Sequence, residues 1–467
     1  MQNYSSLWQL VWFNVLFYMR LTFVHFVFTL CCLFALNSCR IINDGFATRR
    51  DVVLIPAGKN TPKSASGPPA CSDFRNYMPD TLHPEFTPLR YVRVNFHFVN
   101  SADSTQNFVQ PDAIRFSEEL LKYVNYNLAN NKRMFLPPGN QTPVLPTQYR
   151  YVLQPDTSIA GDKGIYFHYA DTVFICNKKD NTQRSPFSLF YNGQFDRFGV
   201  RKGEVINVFF LEHPPDSLGS ATYKFTTNGV GKPDWAKIVG AFYHYQHRFN
   251  DQPDPLQATA VFIAGLFNHE LGHSLGLAHT WNLNDGCDDT PQHPNYWNYP
   301  DAPADKQDQI SNNVMDYNAY ENAWSPCQIG KVQMNLASSN TLQRRMQEPF
   351  WCQYRPNATI RIAAGDSVAW LGAKDLEGDV VLQRRAKLRI SCRVSLPQNA
   401  RVVVKKRARL YLDGGTLTNV CGQKWQGIAV QRGLFAKGKI ILQNNAQVLN
   451  ALHPVWQITE AEKRKKK

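Results

Sequence analysis

His269-Glu270-Leu271-Gly272-His273-Ser274-Leu275-Gly276-Leu277-Ala278-His279 places three imidazoles and one carboxylate at a spacing that ordinary packing does not call for. On a helix, residues four apart share a face, so His269 and His273 bring two ring nitrogens to one ion while Glu270 leans to the same side. Gly276 then lets the chain leave the helix, often at positive φ, and swing round within three residues. His279 becomes the third ligand. Three neutral imidazoles on a tetrahedral zinc leave a fourth position for water, whose pKa falls to about 7 on the metal. Glu270 is then the expected general base, taking the proton from that water and later handing it to a leaving amine. A bare HExxH arises by accident in about 1% of chains this long, and the added glycine and third histidine make chance far rarer. A purely structural zinc closes its fourth position with cysteine or histidine and has no use for Glu270.

Downstream lies Asn312-Asn313-Val314-Met315-Asp316-Tyr317. Histidine motif and methionine turn together resemble the metzincin metallopeptidases. Within them, the runs Leu277-Ala278-His279-Thr280-Trp281, Gly286-Cys287-Asp288-Asp289-Thr290-Pro291 and Met315-Asp316-Tyr317 resemble the pappalysin group. The resemblance extends over residues 88 to 350, since Val92-Arg93-Val94-Asn95-Phe96-His97-Phe98-Val99 is similar to the first strand of such bacterial enzymes. It implies that Met315 is the apolar floor beneath the metal. Tyr317 would be a switchable ligand or a hydrogen-bond donor to the transition state. The loop of Asp285, Asp288, Asp289 and Thr290 would hold Ca2+, a hard cation that prefers oxygen ligands. Glu321, shortly after the methionine turn, would favour a basic side chain just beyond the cut bond.

The chain has 467 residues, long enough for two or three cores. Its charge is uneven. Residues 360–467 hold 21 of the 51 basic but only 7 of the 37 acidic side chains, so the whole excess of +14 lies in the C-terminal quarter. Near the N-terminus, Arg20 precedes the apolar run Leu21 to Leu36, which ends at Leu36-Asn37-Ser38-Cys39. That pattern is similar to the lipobox of bacterial lipoproteins, with Cys39 as the lipidated residue and Met19 as an alternative start. At about sixteen residues the run is short for a membrane span. The expected address is export, as a membrane-anchored lipoprotein or at the cell surface.

Beyond the leader the cysteines are Cys71, Cys176, Cys287, Cys327, Cys352, Cys392 and Cys421. In an exported protein some of them pair, and the odd number leaves at least one thiol over. Cys287 and Cys327 bracket the methionine turn and form the expected disulfide. Cys71 is expected to be a disulfide partner, with masking of the metal in a latent form as its other role.

Four segments follow from the pattern: 1–39 leader, 40–87 linker or pro-segment rich in Pro, Ser, Gly and Asn, 88–355 catalytic domain, and 356–467 a basic β domain. Strand alternation appears at Tyr91 to Val99, a helix opens after Pro111, strands follow at Tyr149 to Leu153 and Val205 to Leu211, and Val261 to Leu266 lead into the zinc helix. Trp235 to Tyr243 is the expected edge strand for an extended substrate. After Ile360, Gln383-Arg384-Arg385-Ala386-Lys387-Leu388, Lys405-Lys406-Arg407-Ala408-Arg409-Leu410 and Gln443-Asn444-Asn445-Ala446-Gln447-Val448 read as repeats of stacked β coils, short or truncated. The runs Gly414-Gly415-Thr416-Leu417-Thr418 and Trp425-Gln426-Gly427-Ile428 resemble parts of parallel β-helix domains.

The fold class expected is therefore α+β: a metzincin-like catalytic domain with a mixed twisted sheet, a long helix and the zinc helix, followed by a short all-β solenoid-like domain. The function expected is a secreted Zn2+-dependent endopeptidase acting on proteins or peptides. The other class is a surface adhesion or scaffolding protein that binds an anionic polymer through its basic β domain. That domain is the expected contact for cell-surface polysaccharide or a membrane surface. Nucleic acid is not expected, because no aromatic residues interleave the charges.

Overall fold

The structure is a computed structural model that describes residues 43–55, 69–177, 185–218, 220, 228–281, 285–291, 305, 309–318 and 320–455. The expected leader with Cys39, and the basic run Lys463 to Lys467, lie outside the described residues. Among those described, no helix is long and apolar enough to cross a membrane.

Two short strands come first, β1 (Asn43–Phe46) and β2 (Val52–Ile55). A six-stranded sheet follows, built from β3 (Arg90–Asn100), β4 (Tyr149–Leu153), β5 (Ile165–Tyr169), β6 (Ile206–Leu211), β7 (Asn228–Lys232) and β8 (Trp235–Val239). Its order is β4-β3-β6-β8-β7, with β5 also paired to β3. All pairings are parallel except β7 with β8. Such a strand is buried on both faces and needs no alternation, which is why β6 reads Ile-Asn-Val-Phe-Phe-Leu and is buried throughout.

One face of the sheet packs on helices α1 (Asp112–Ala129) and α3 (Pro255–Ser274). Phe96, Phe98, Phe116, Phe210 and Phe267 form the centre of that core, with edge-on and stacked rings. The helix α3 starts where Asp254 accepts from the Gln257 N–H and Pro255 occupies the first turn, a position in which proline loses no hydrogen bond. Val261 to Leu266 thus lie within the zinc-motif helix. Trp235 to Tyr243 divides into β8, interior to the sheet, and the start of α2 (Ala241–His247). The edge is β7 instead. Its two glycines, Gly229 and Gly231, hide it from a search for alternating apolar residues.

On the sheet's other face His97 is fully buried. Its Nε2 donates to Asn207 Oδ1 at 2.9 Å, and its Nδ1 lies 2.9 Å from His168 Nε2. Burial holds both imidazoles neutral, pushing His97 down to about 3 and His168 down to about 4. In the unfolded chain each would titrate near 6.5. Between pH 6.5 and 4 the unfolded state therefore binds protons that the folded state refuses, and stability falls as the pH falls. His168→Phe should flatten the stability curve in that window, measured by urea unfolding at pH 4.5 and 7. An unchanged slope would remove the pair from the acid response.

After helix α4 (Pro326–Ala337) and a short helical turn at Leu342–Arg345, the chain becomes all β apart from two short 3-10 turns. It makes four passes: β9 (Ile360–Ile362), β10 (Ser367–Trp370) and β11 (Lys374–Asp375); β12 (Val380–Leu382), β13 (Lys387–Ile390) and β14 (Arg393–Ser395); β15 (Arg401–Val404), β16 (Arg409–Asp413) and β17 (Thr416–Thr418); β18 (Trp425–Arg432), β19 (Lys439–Gln443) and β20 (Gln447–Val448). Each strand pairs in parallel with its counterpart one pass later, giving three parallel sheets around an apolar interior. A last strand, β21 (Ala451–His453), pairs with β18. Of the three sequence repeats, the first two occupy equivalent turns, since Lys387 is in register with Arg409. The third makes the same local turn, but before β20, at a different corner.

Residues 43–55, within the stretch 40–87, take part in this β region. β1 adds antiparallel to β18 and β2 parallel to β19, covering the last pass. Cys71 is bonded to Cys392 and Cys352 to Cys421, while Cys287 is bonded to Cys327; Cys176 is buried and outside these disulfides. Between the sheet and the β passes lies Asp375, with no exposed surface, facing Arg344 at 2.5 Å, Arg90 at 3.8 Å and Arg393. Burial alone would raise its pKa, but the guanidiniums of Arg393 and Arg344 outweigh this and hold the carboxyl well below the usual range.

Candidate metal centre

The last turns of α3 carry His269, Glu270 and His273, and Leu275 caps the helix. Gly276 has φ +95°, and a Cβ there would also meet Asn335 Nδ2 at 2.3 Å. Leu277 N–H closes back on Gly272 O at 2.9 Å. The turn brings His279 Nε2 within 3.2 Å of His269 Nε2 and 3.0 Å of His273 Nε2.

The outer nitrogens are taken. His269 Nδ1 donates to Val314 O at 2.7 Å and His273 Nδ1 to Leu277 O at 2.9 Å. That fixes the tautomer in which both Nε2 lone pairs point to one place. Lone pairs facing each other at 3 Å repel unless a cation lies between them. Tetrahedral zinc with Zn–N bonds of about 2.0–2.1 Å separates its ligands by about 3.3–3.4 Å, so the donor set fits. His279 stacks on Trp281 with ring centres 4.0 Å apart.

Acidic groups surround the imidazoles. Glu321 Oε1 lies 3.3 Å from His269 Nδ1, and both side chains are largely buried. Burial works against a charged His269, yet Glu321 and Glu270 outweigh it and push its pKa up to about 9. Burial drives His273 and His279 the other way, down to about 4 and about 3. Glu270 is 5% exposed; burial pushes its pKa up to about 7, against the pull of His269.

β7 lies directly over this helix turn. A Cβ on Gly231 would sit 1.9 Å from Glu270 O, and one on Gly229 would sit 2.7 Å from Glu270 Oε1. The Gly231 N–H donates to the Glu270 carboxylate, and Ser274 Oγ donates to Lys232 O at 2.6 Å. Glycine at both positions is a condition of the contact. Sequence reading passed over these residues; two glycines alternating in a short run before a strand were the available signal.

Met315 is fully buried, and a Cβ on Gly272 would come within 2.5 Å of its sulfur. Tyr317 is 44% exposed and reaches His279, with ring centres 5.1 Å apart, and Trp281, at 4.4 Å. Burial, then Glu270 and Glu321, raise its pKa. The acidic loop is largely self-satisfied. Asp285 accepts from Cys287 N at 2.9 Å and Thr290 Oγ1 at 2.7 Å, Lys331 Nζ donates to its carbonyl, and Asp289 Oδ2 accepts from Cys327 N at 3.0 Å. Asp289 Oδ1 is buried without a hydrogen bond, and Asp288 is exposed.

No family model and no curated protein matches the chain. Among solved structures it is similar to mature mirolysin from Tannerella forsythia in complex with a cleaved peptide, at 18% identity and TM-score 0.36, covering 56% of this chain and 96% of that one. Mirolysin in complex with a small compound gives 18% and 0.37 over the same share of each chain. A promirolysin mutant from the same organism gives 15% and 0.35, covering 56% of this chain and 85% of that one. Likeness at this level decides neither fold nor activity.

Proposed function

We propose that the chain is a zinc-dependent metalloendopeptidase of the pappalysin-like metzincin type. The observation that carries the reading is the convergence of His269, His273 and His279 Nε2 with Glu270 buried beside them. Those three residues would hold the ion. Bound there, zinc supplies Lewis acidity, which acidifies a water and polarises a carbonyl. Glu270 takes the proton of the attacking water and returns it to the leaving amine. The Gly231 N–H holds its carboxylate in place for that transfer. Tyr317, whose ring lies against His279, donates a hydrogen bond to the oxygen that gains charge. A peptide adds in extended form along the outer edge of β7, which pairs on one side only among the described strands. The experiment is digestion of a randomised peptide library with and without a zinc chelator. Cleavage that survives chelation would overturn the assignment.

Glu321 keeps its proposed part in selecting a basic side chain beyond the cut bond, although its carboxylate already faces His269. In a peptide panel varied at that one position, Glu321→Gln should lower cleavage of Arg and Lys peptides about tenfold and leave Leu peptides unchanged. An equal loss on all peptides, with weakened zinc binding, would make Glu321 a support for His269 instead.

Ca2+ in the acidic loop is a separate proposal, with Asp288 and Asp289 Oδ1 as the oxygens left for it. Export is a further part of the proposal, consistent with the three disulfides, which persist in oxidising compartments; lipid attachment at Cys39 is proposed from the leader sequence alone. We read the four β passes as a short solenoid whose basic face docks the enzyme on an anionic surface.

A further inference from the structure

Part of the positive charge of the β region is arranged in rows. Lys387, Arg409 and Lys439 are the first residues of β13, β16 and β19 and lie side by side in register. Arg385 and Arg407 hold the equivalent place in the turns two residues earlier, both at positive φ. Neighbouring parallel strands are about 4.8 Å apart, so like charges are stacked at a spacing that repels. Fold stability gains nothing from this. No described carboxylate forms an ion pair with these five cations, whereas the nearby Arg432 and Lys437 are neutralised by Asp51.

Beside the two rows rises the turn between β18 and β19. It carries Leu434 and Phe435, 76% and 90% exposed. Cations and turn together line an open cavity of about 840 Å³. A face kept only for solubility has no use for an exposed Leu-Phe tip. A soluble polyanion would engage the rows and leave the tip in water. An anionic lipid surface uses both, with phosphates on the cations and the tip in the headgroup layer.

The geometry points to a membrane-docking site for anionic phospholipid at this corner. It deepens the docking reading given above for the β region and is independent of the peptidase reading. Each Lys or Arg near such a surface contributes about fivefold in partitioning.

The test is co-sedimentation of the full-length protein with phosphatidylcholine vesicles containing or lacking phosphatidylglycerol. The difference between the two vesicles is the readout, so the apolar run at residues 21–36, present in every variant, cancels. Arg407→Glu with Arg409→Glu should lower the phosphatidylglycerol-dependent binding by about thirtyfold or more. Leu434→Ser with Phe435→Ser should lower it by about tenfold. The emission of a Phe435→Trp protein should shift to the blue only with the anionic vesicles. Thermal melts matching the parent show that each variant is folded. Anionic binding that ignores both pairs would overturn the inference. So would tight binding of soluble polyphosphate that ignores the tip, which would make the rows a polyanion site. Binding to neither probe would end the docking reading itself.

Discussion

A Glu270→Gln protein is expected to keep its zinc and to lose peptide cleavage by about 10²–10⁴-fold, the range for removing a general base. Glutamine preserves the shape of a side chain that is 5% exposed and can still accept from the Gly231 N–H. What it lacks is a site for the proton of the attacking water. Because His269, His273 and His279 supply every nitrogen of the centre, zinc content should be unchanged. Loss of zinc in this variant would assign Glu270 to the metal, and retained cleavage would move the base elsewhere.

The largest effect on stability is expected at Asp375. Its carboxylate is fully buried and faces Arg90, Arg344 and Arg393, drawn from the first sheet strand, the helical turn after α4 and the β passes. Breaking a buried ion pair from one side leaves charge without compensation, at a cost of about 3–5 kcal/mol. Here three guanidiniums would face one another. Asp375→Ala should therefore lose about that much in urea unfolding, together with the docking of the β passes on the sheet. Glu204→Ala, which removes the partner of Arg201 in a solvent-exposed pair, should cost about 1 kcal/mol or less. Similar losses in the two variants would deny Asp375 its role as the joint.

How much of this was legible in the sequence depended on the distance between the partners. His269, Glu270 and His273 could be placed because a helix repeats every 3.6 residues, and Gly276 with His279 because one turn joins them. The pairing of Cys287 with Cys327 needed only that both flank the same turn. Contacts made by remote segments left no local mark. Gly229 and Gly231 press on Glu270 from another strand, and Glu321 reaches His269 from a loop beyond the methionine turn.

Strands β1 and β2 read as a linker because Pro, Ser and Gly dominate the sequence between Ile55 and Cys71. Their place beside β18 and β19, almost four hundred residues later, has no periodicity to announce it. The third β repeat shares its turn chemistry with the first two, and turn chemistry does not say which corner it occupies. The two cation rows were visible only as an excess of charge, since register alone aligns Lys387, Arg409 and Lys439.

Zinc titration into metal-stripped protein, with cleavage and occupancy followed together, tests the central claim most directly. The account predicts that cleavage rises in proportion to occupancy and saturates at about one ion per chain, as expected for one three-histidine centre. Full occupancy without cleavage of any peptide in a randomised library, or cleavage before any zinc is bound, would contradict it.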